Sequence, residues 1–184
     1  MRKSKIKKYK IAFFDRDGVL NSSKINNGYI GNIKDFKWIP GAKKTIKFFK
    51  DNGFKIVVVT NQSGVARGYF KISSIHKIHN HIQNELKKIS TSIDQFYFCP
   101  YHKDGVIKKY KKKSILRKPN NGMYKLAEKK WVVDKKNSFM IGDQKTDMIF
   151  ARKSKIKGYL FSSGNLYNFI RKKITKKNLK NDQK

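Results

Sequence analysis

Short apolar runs alternate with amphipathic stretches along most of this chain. Residues 11–14, Ile-Ala-Phe-Phe, are apolar throughout and predict a strand buried on both faces. Ala42, Ile46 and Phe49 share one face of a predicted helix over 42–51, which Asn52-Gly53 stops. The plainest buried strand is 55–60, with Ile56-Val57-Val58-Val59 at its centre. A helix follows to residue 88, capped by Ser73 or Ser74, with Ile75, Ile78, Ile82 and Leu86 on one side. Further strands are expected at 96–98, 138–141 and 158–161. Further helices are expected at 123–131, after Asp143 through Ala151, and at 166–174.

Two stretches lack a period. Residues 21–38 read as a loop overhanging the first strand, with a turn at Asn26-Asn27-Gly28-Tyr29. Residues 99–116 read as an irregular, basic insertion. A basic leader over 1–8 and a basic tail over 176–184 flank one domain over 9–175. Alternating strands and helices predict an α/β fold: a three-layer, doubly wound, mainly parallel sheet with small loop insertions and no large cap domain.

Composition changes this picture little. At 184 residues the chain can bury a single core. The net charge of +33 suggests a nucleic-acid partner, but 39 of the 45 basic residues are Lys, spread over the whole chain. Arg is the preferred residue for bidentate phosphate and base contacts, so the charge reads as a solvated surface that attracts small anions. No apolar run is long enough to span a membrane. With no apolar signal region before the first strand, a cytoplasmic location is expected. The single cysteine, Cys99, rules out an internal disulfide framework and says nothing of compartment. A monomer is expected. His76, His79 and His81 lack the spacing of a metal pair and are expected on the surface or satisfied internally.

The chemistry gathers where strands end. Asp15-Arg16-Asp17-Gly18 follows the first strand: two carboxylates able to share one face, either a Mg²⁺ seat with a nucleophile and an acid/base, or a turn pair. Thr60 through Gly68 follows the second, either a backbone-lined anion pocket or an ordinary loop. Arg117-Lys118 precedes a helix, where two cations can hold a phosphate or simply face solvent. Asp143 and Asp147 follow a later strand as a second acidic pair or as helix caps. In parallel sheets ligands bind beyond the carboxyl ends of the strands, and four polar signals at such ends favour one shared site.

These residues resemble the four motifs of the haloacid-dehalogenase-like (HAD-like) phosphohydrolases. Asp15-Arg16-Asp17-Gly18, Gly28-Tyr29, the run from Thr60 to Gly68, Cys99-Pro100, Arg117-Lys118-Pro119 and Gly122-Met123 are similar to the D-glycero-D-manno-heptose 1,7-bisphosphate 7-phosphatases and their histidinol-phosphate phosphatase relatives. The resemblance spans roughly 11–174.

It implies a hydrolase of small phosphorylated sugars, working in heptose and lipopolysaccharide precursor synthesis. Asp15 would be the nucleophile and Asp17 the acid/base, with Thr60 and Lys118 on the phosphoryl oxygens. Mg²⁺ would be held by Asp15, Asp17 through its carbonyl, and Asp143, with Asp147 in support. Arg16, Asn26, Asn27, Gly28, Tyr29, Asn61, Gln62, Ser63, Arg117 and Gln144 would contact substrate. The family's zinc loop is expected to be metal-free here, because its ligand positions hold Cys99, Tyr101, Ser114 and Leu116. Histidinol phosphate, another small ester or a nucleic-acid 3′-phosphate end are alternative substrates. A basic nucleic-acid-binding module is the non-enzymatic alternative.

Overall fold

The structure, a computed structural model, describes residues 7–23 and 28–173. Asn26, Asn27, most of the basic leader and the whole basic tail lie outside the described residues. Five strands form one parallel sheet in the order β3-β2-β1-β4-β5. They are β1 (Ile11–Phe14), β2 (Lys55–Asn61), β3 (Gln95–Cys99), β4 (Phe139–Gly142) and β5 (Lys157–Leu160). The helices are α1 (Ala42–Asp51), α2 (Ile72–Lys87), α3 (Gly122–Lys130), α4 (Lys145–Lys153) and α5 (Leu166–Lys173).

Alternation along each strand divides the core into two layers. Ala12 and Phe14 of β1 join Ile56 and Val58 of β2 beneath Ile46 and Phe49 of α1, Ile78 and Ile82 of α2, and Ile170 of α5. Ile11 and Phe13 point the other way, with Val57 and Val59, against Tyr124 and Ala127 of α3 and Phe150 of α4. The central strands β1, β2 and β4 are therefore buried on both faces, which is why they read as apolar runs, whereas three of the four residues of the edge strand β5 are exposed.

Strand order turns this sheet into a site. The chain leaves β1 toward β2 and β3, then crosses back to place β4 on the opposite side of β1. The crevice between β1 and β4 is the topological switch point, and Asp15 and Asp143 stand at its carboxyl rim.

Boundaries agree with the periodic reading to within one or two residues, with one correction. Neither Ser73 nor Ser74 caps α2: the N-cap is Lys71, which makes no side-chain cap hydrogen bond. The Ser74 N–H already donates to the Lys71 carbonyl at 3.0 Å, so the first turn begins before either serine. His79 is buried within α2 and stacks on Phe96 with ring centroids 4.2 Å apart. Among the described residues no helix is long and apolar enough to cross a membrane.

Candidate active site

Asp15 is only 8% exposed, at the end of β1. Its Oδ2 lies 2.9 Å from Lys118 Nζ, and that same ammonium lies 2.6 Å from Asp147 Oδ1. Burial pushes the Asp15 carboxyl up to about 7; Lys118 opposes the shift, while Asp147, Asp17 and Asp143 add to it. Burial also works against the Lys118 ammonium, but Asp15 and Asp147 outweigh it and hold the amine charged above its ordinary range. Lys118 is thus a fixed cation among acids rather than a proton donor.

Asp143 closes the other side of the crevice. One carboxylate oxygen each of Asp15, Asp143 and Asp147 lies within 4.8 Å of the others. Asp143 Oδ1 is buried without a hydrogen-bond partner, while Oδ2 accepts from Gln144 Nε2 at 3.0 Å. Burial raises its carboxyl above the usual range despite that hydrogen bond. Gly18 allows the approach: its φ is +88°, and a Cβ there would lie 2.2 Å from Asp143 Oδ2. Gly142 does the same for Asp147, whose Cβ would meet an added methyl at 2.2 Å.

These oxygen donors fit a hard divalent cation such as Mg²⁺, and the unpartnered buried oxygen of Asp143 is the observation that favours one. Asp147 is fully buried and already committed, since Oδ2 accepts from the Gln144 backbone N–H at 3.0 Å and Oδ1 faces Lys118. Asp15 and Asp143 are the carboxylates left to meet an ion, with Asp147 holding Lys118 in place.

Asp17 is held by a separate network. Its Oδ1 accepts from Arg16 Nε at 3.1 Å and from Asn21 Nδ2 at 2.9 Å. Its Oδ2 accepts from Arg16 Nη2 at 3.0 Å and from Gln62 Nε2 at 2.7 Å. Gln62 Nε2 also donates to Thr60 Oγ1 at 2.9 Å, which links the two motifs across the β1–β2 pair.

Several expected substrate contacts have other work in the structure. Arg16 is fully buried: its Nε and Nη2 donate to Asp17, the Ile30 carbonyl and Gln62 and so orient Asp17, while its Nη1 has no hydrogen-bond partner. Asn61 forms a two-bond clamp on the Lys118 backbone, accepting from its N–H at 3.0 Å and donating to its carbonyl at 3.1 Å. It therefore positions Lys118. Gln62 is buried in the Asp17 network, and the Gln144 side chain bonds Asp143. Ser63 is nearly buried in the turn after β2. Tyr29 packs edge-on against Tyr69 at 4.8 Å, beside Gly28 with φ +85°. Arg117 is half-buried.

One residue escaped the sequence reading: Asn21 braces Asp17 from the loop after β1, and nothing in its local sequence marks it.

The insertion between β3 and α3 is ordered by protein contacts. Both Val106 and Ile107 donate backbone N–H groups to the Ala66 carbonyl, at 2.8 and 3.0 Å. His102 donates its N–H to the Tyr110 carbonyl at 3.2 Å, and Lys112 lies over the Tyr101 ring at 4.4 Å. Cys99 is buried with its Sγ 3.8 Å from the Tyr101 carbonyl oxygen.

Comparison with known proteins follows the same lines. The model of the polynucleotide kinase 3 phosphatase family matches residues 10–182. A D-glycero-beta-D-manno-heptose-1,7-bisphosphate 7-phosphatase from Rhodopseudomonas palustris is 36% identical over 160 residues, covering 87% of each chain. One from Haemophilus ducreyi is 37% identical over 149 residues, covering 80% of each. The crystal structure of D,D-heptose 1,7-bisphosphate phosphatase from B. bronchiseptica, complexed with magnesium and phosphate, aligns with a TM-score of 0.75 at 26% identity. It covers 89% of this chain and 86% of that one. A HAD-like phosphatase from Mesorhizobium loti aligns with a TM-score of 0.76 at 30% identity, covering 83% and 72%.

Proposed function

The chain belongs to the HAD-like phosphatases and to the polynucleotide kinase 3 phosphatase family, and from that premise we propose that it removes the 7-phosphate of D-glycero-D-manno-heptose 1,7-bisphosphate. The names of the curated relatives support this substrate. The observation that carries the chemistry is the Asp15–Lys118 contact at 2.9 Å, with a carboxylate oxygen of Asp143 within 4.8 Å of one on Asp15.

In this reading an Asp15 oxygen attacks phosphorus, and the bond from phosphorus to the sugar oxygen breaks to leave an aspartyl-phosphate. Asp17 gives its proton to the departing oxygen, then takes one from the water that hydrolyses the intermediate. Lys118 and the Thr60 hydroxyl steady the phosphoryl oxygens. Mg²⁺, held by Asp15, Asp143 and the Asp17 carbonyl, would neutralise charge between nucleophile and phosphate. Arg16 and Gln62 keep Asp17 oriented, and Asn61 and Asp147 keep Lys118 oriented. The surrounding positive charge draws anionic substrates toward the site. The enzyme would act in the cytoplasm, on precursors of heptose-containing glycans such as lipopolysaccharide.

Phosphate release from a panel of phosphorylated metabolites, with and without Mg²⁺, tests the proposal. The panel holds the heptose bisphosphate, histidinol phosphate and an oligonucleotide bearing a 3′-phosphate. The heptose ester should be hydrolysed with the highest kcat/KM, in a Mg²⁺-dependent manner. Asp15→Asn should lower that turnover by about 10⁴-fold or more, the scale of losing a covalent nucleophile. Preference for the 3′-phosphate end would overturn the substrate assignment, and full activity of Asp15→Asn would overturn the mechanism.

A further inference from the structure

The tip of the β3–α3 loop turns aliphatic side chains to solvent. Val106 is 74% exposed and Ile107 40%, and Tyr69, in the turn after β2, is 62% exposed. The three form one patch. A Cβ placed on Gly68 would lie 3.6 Å from Val106 Cγ2 and 3.5 Å from Ile107 Cδ1, so both side chains rest against the glycine next to Tyr69. Ile107, Tyr69 and Tyr110 also line one cavity of about 640 Å³ with Val65, Phe70 and Ile72. Backbone hydrogen bonds fix the tip in place. The Ala66 carbonyl accepts from the N–H groups of Val106 and Ile107, and the Ile107 carbonyl accepts from Tyr110 at 2.9 Å. With those donors engaged, Val106 and Ile107 present a partner with apolar side chains alone.

Positive charge is concentrated beside this patch. Residues 103–113 hold six Lys in eleven positions, at 103, 108, 109, 111, 112 and 113, against 39 in 184 over the whole chain. All six are exposed. The one acid of the stretch, Asp104, already pairs with Lys103 at 2.8 Å. Five of the six residues directly after Ile107 are therefore lysines with no acid among them.

A fixed aliphatic tip beside clustered ammonium groups complements an anionic bilayer. Apolar side chains enter the boundary between headgroups and acyl chains, while long Lys stems carry their charges to the lipid phosphates. A nucleic acid would neutralise the lysines but leave Val106 and Ile107 in water. We propose that the tip of the β3–α3 loop is a reversible docking surface for an anionic membrane, with Val106 and Ile107 inserted and Lys108 and Lys109 as the nearest cations. This surface is independent of which phosphate ester the enzyme hydrolyses.

Cosedimentation of the full chain with lipid vesicles is the test. Vesicles of phosphatidylglycerol and phosphatidylcholine in equal parts should be bound, vesicles of phosphatidylcholine alone should not, and binding should weaken as salt rises. Each Lys near an anionic surface contributes about fivefold, so Lys108→Glu/Lys109→Glu should weaken binding about 25-fold or more. Val106→Ser/Ile107→Ser should weaken it about tenfold or more at unchanged charge. Lys129→Glu/Lys136→Glu makes the same change in charge at the opposite pole of the sheet, in α3 and just before β4, and should cost less than about fivefold. Urea midpoints are measured alongside, and Val106→Ser alone, at the more exposed position, carries the comparison if the double variant is unstable. Equal losses from the two lysine pairs overturn the proposal in favour of a diffuse attraction of the whole basic chain. Undiminished binding by the serine variants overturns it as well. Tight binding of a single-stranded oligonucleotide through Lys108 and Lys109, with no binding of anionic vesicles, assigns the surface to nucleic acid instead.

Discussion

Lys118 and Asp147 meet as an ion pair closed to solvent on both sides, Nζ to Oδ1 2.6 Å, with side chains 1% and 0% exposed. Without Asp147 the buried ammonium keeps only Asp15, 2.9 Å away, and the Gln144 N–H loses its acceptor. Asp147→Ala should therefore destabilise the fold by about 1–3 kcal/mol, read as a shift in urea midpoint. It should also lower kcat about a hundredfold, because Lys118 loses the contact that sets its distance from Asp15. Asp147→Asn, which can still accept from the Gln144 N–H, should be the milder change in stability.

Gly18→Ala tests the close approach of the β1 and β4 loops. The φ of +88° and the 2.2 Å separation between an added Cβ and Asp143 Oδ2 both oppose a side chain. Backbone strain alone costs about 1–3 kcal/mol. Displacement of Asp143 should weaken Mg²⁺ binding by about 10- to 100-fold, the effect seen when a ligand's support is lost. Activity measured against Mg²⁺ concentration gives the comparison, and a normal Mg²⁺ requirement would separate Asp143 from the ion.

Gln62→Leu removes the donor shared by Asp17 Oδ2 and Thr60 Oγ1, at 2.7 and 2.9 Å. General acid catalysis contributes about 10²–10⁴-fold, so misorienting Asp17 should cost a sizeable share of that on a sugar phosphate. An aryl ester such as p-nitrophenyl phosphate has a leaving group that needs little protonation, and its cleavage should suffer less. Equal losses on both esters would show that Gln62 supports the site without directing the proton.

His79 makes stability depend on pH. Burial, with smaller contributions from Arg16 and His76, lowers its pKa from 6.5 to about 2. The native state therefore binds fewer protons than the unfolded chain below pH 6.5. Its contribution is complete above that pH and is lost as the pH falls toward 2. The slope approaches about 1.4 kcal/mol per pH unit. His79→Phe keeps a ring against Phe96 and removes the titration. The gap between wild type and variant in unfolding free energy should grow by about 2 kcal/mol in the variant's favour from pH 6.5 to pH 5. A constant gap would mean that His79 takes up its proton over the same pH range in the folded protein as in the unfolded chain.

Local pattern determined a good deal about this protein. Continuous apolar runs at 11–14, 56–59 and 139–141 lie within β1, β2 and β4, because strands covered on both faces have no polar side to interrupt them. The carboxylates at the ends of two such runs marked Asp15 and Asp143, since acids beside buried strands need a partner or an ion.

Tertiary structure decided which residues face the ligand and which hold the others in place. Arg16 and Asn61 read as contacts because they sit inside a motif, yet Arg16 is spent on Asp17 and Asn61 on the backbone of a residue 57 positions away. Asp147 does cap a helix, accepting from the Gln144 N–H at the start of α4, and its other oxygen pairs with Lys118, which no local pattern shows. The tie between the turn after β2 and the β3–α3 loop depends on Val106 and Ile107 reaching the Ala66 carbonyl, forty residues back along the chain. Such relationships arise from strand order and register, which bring distant segments together at fixed spacings, and no window of neighbouring residues carries them.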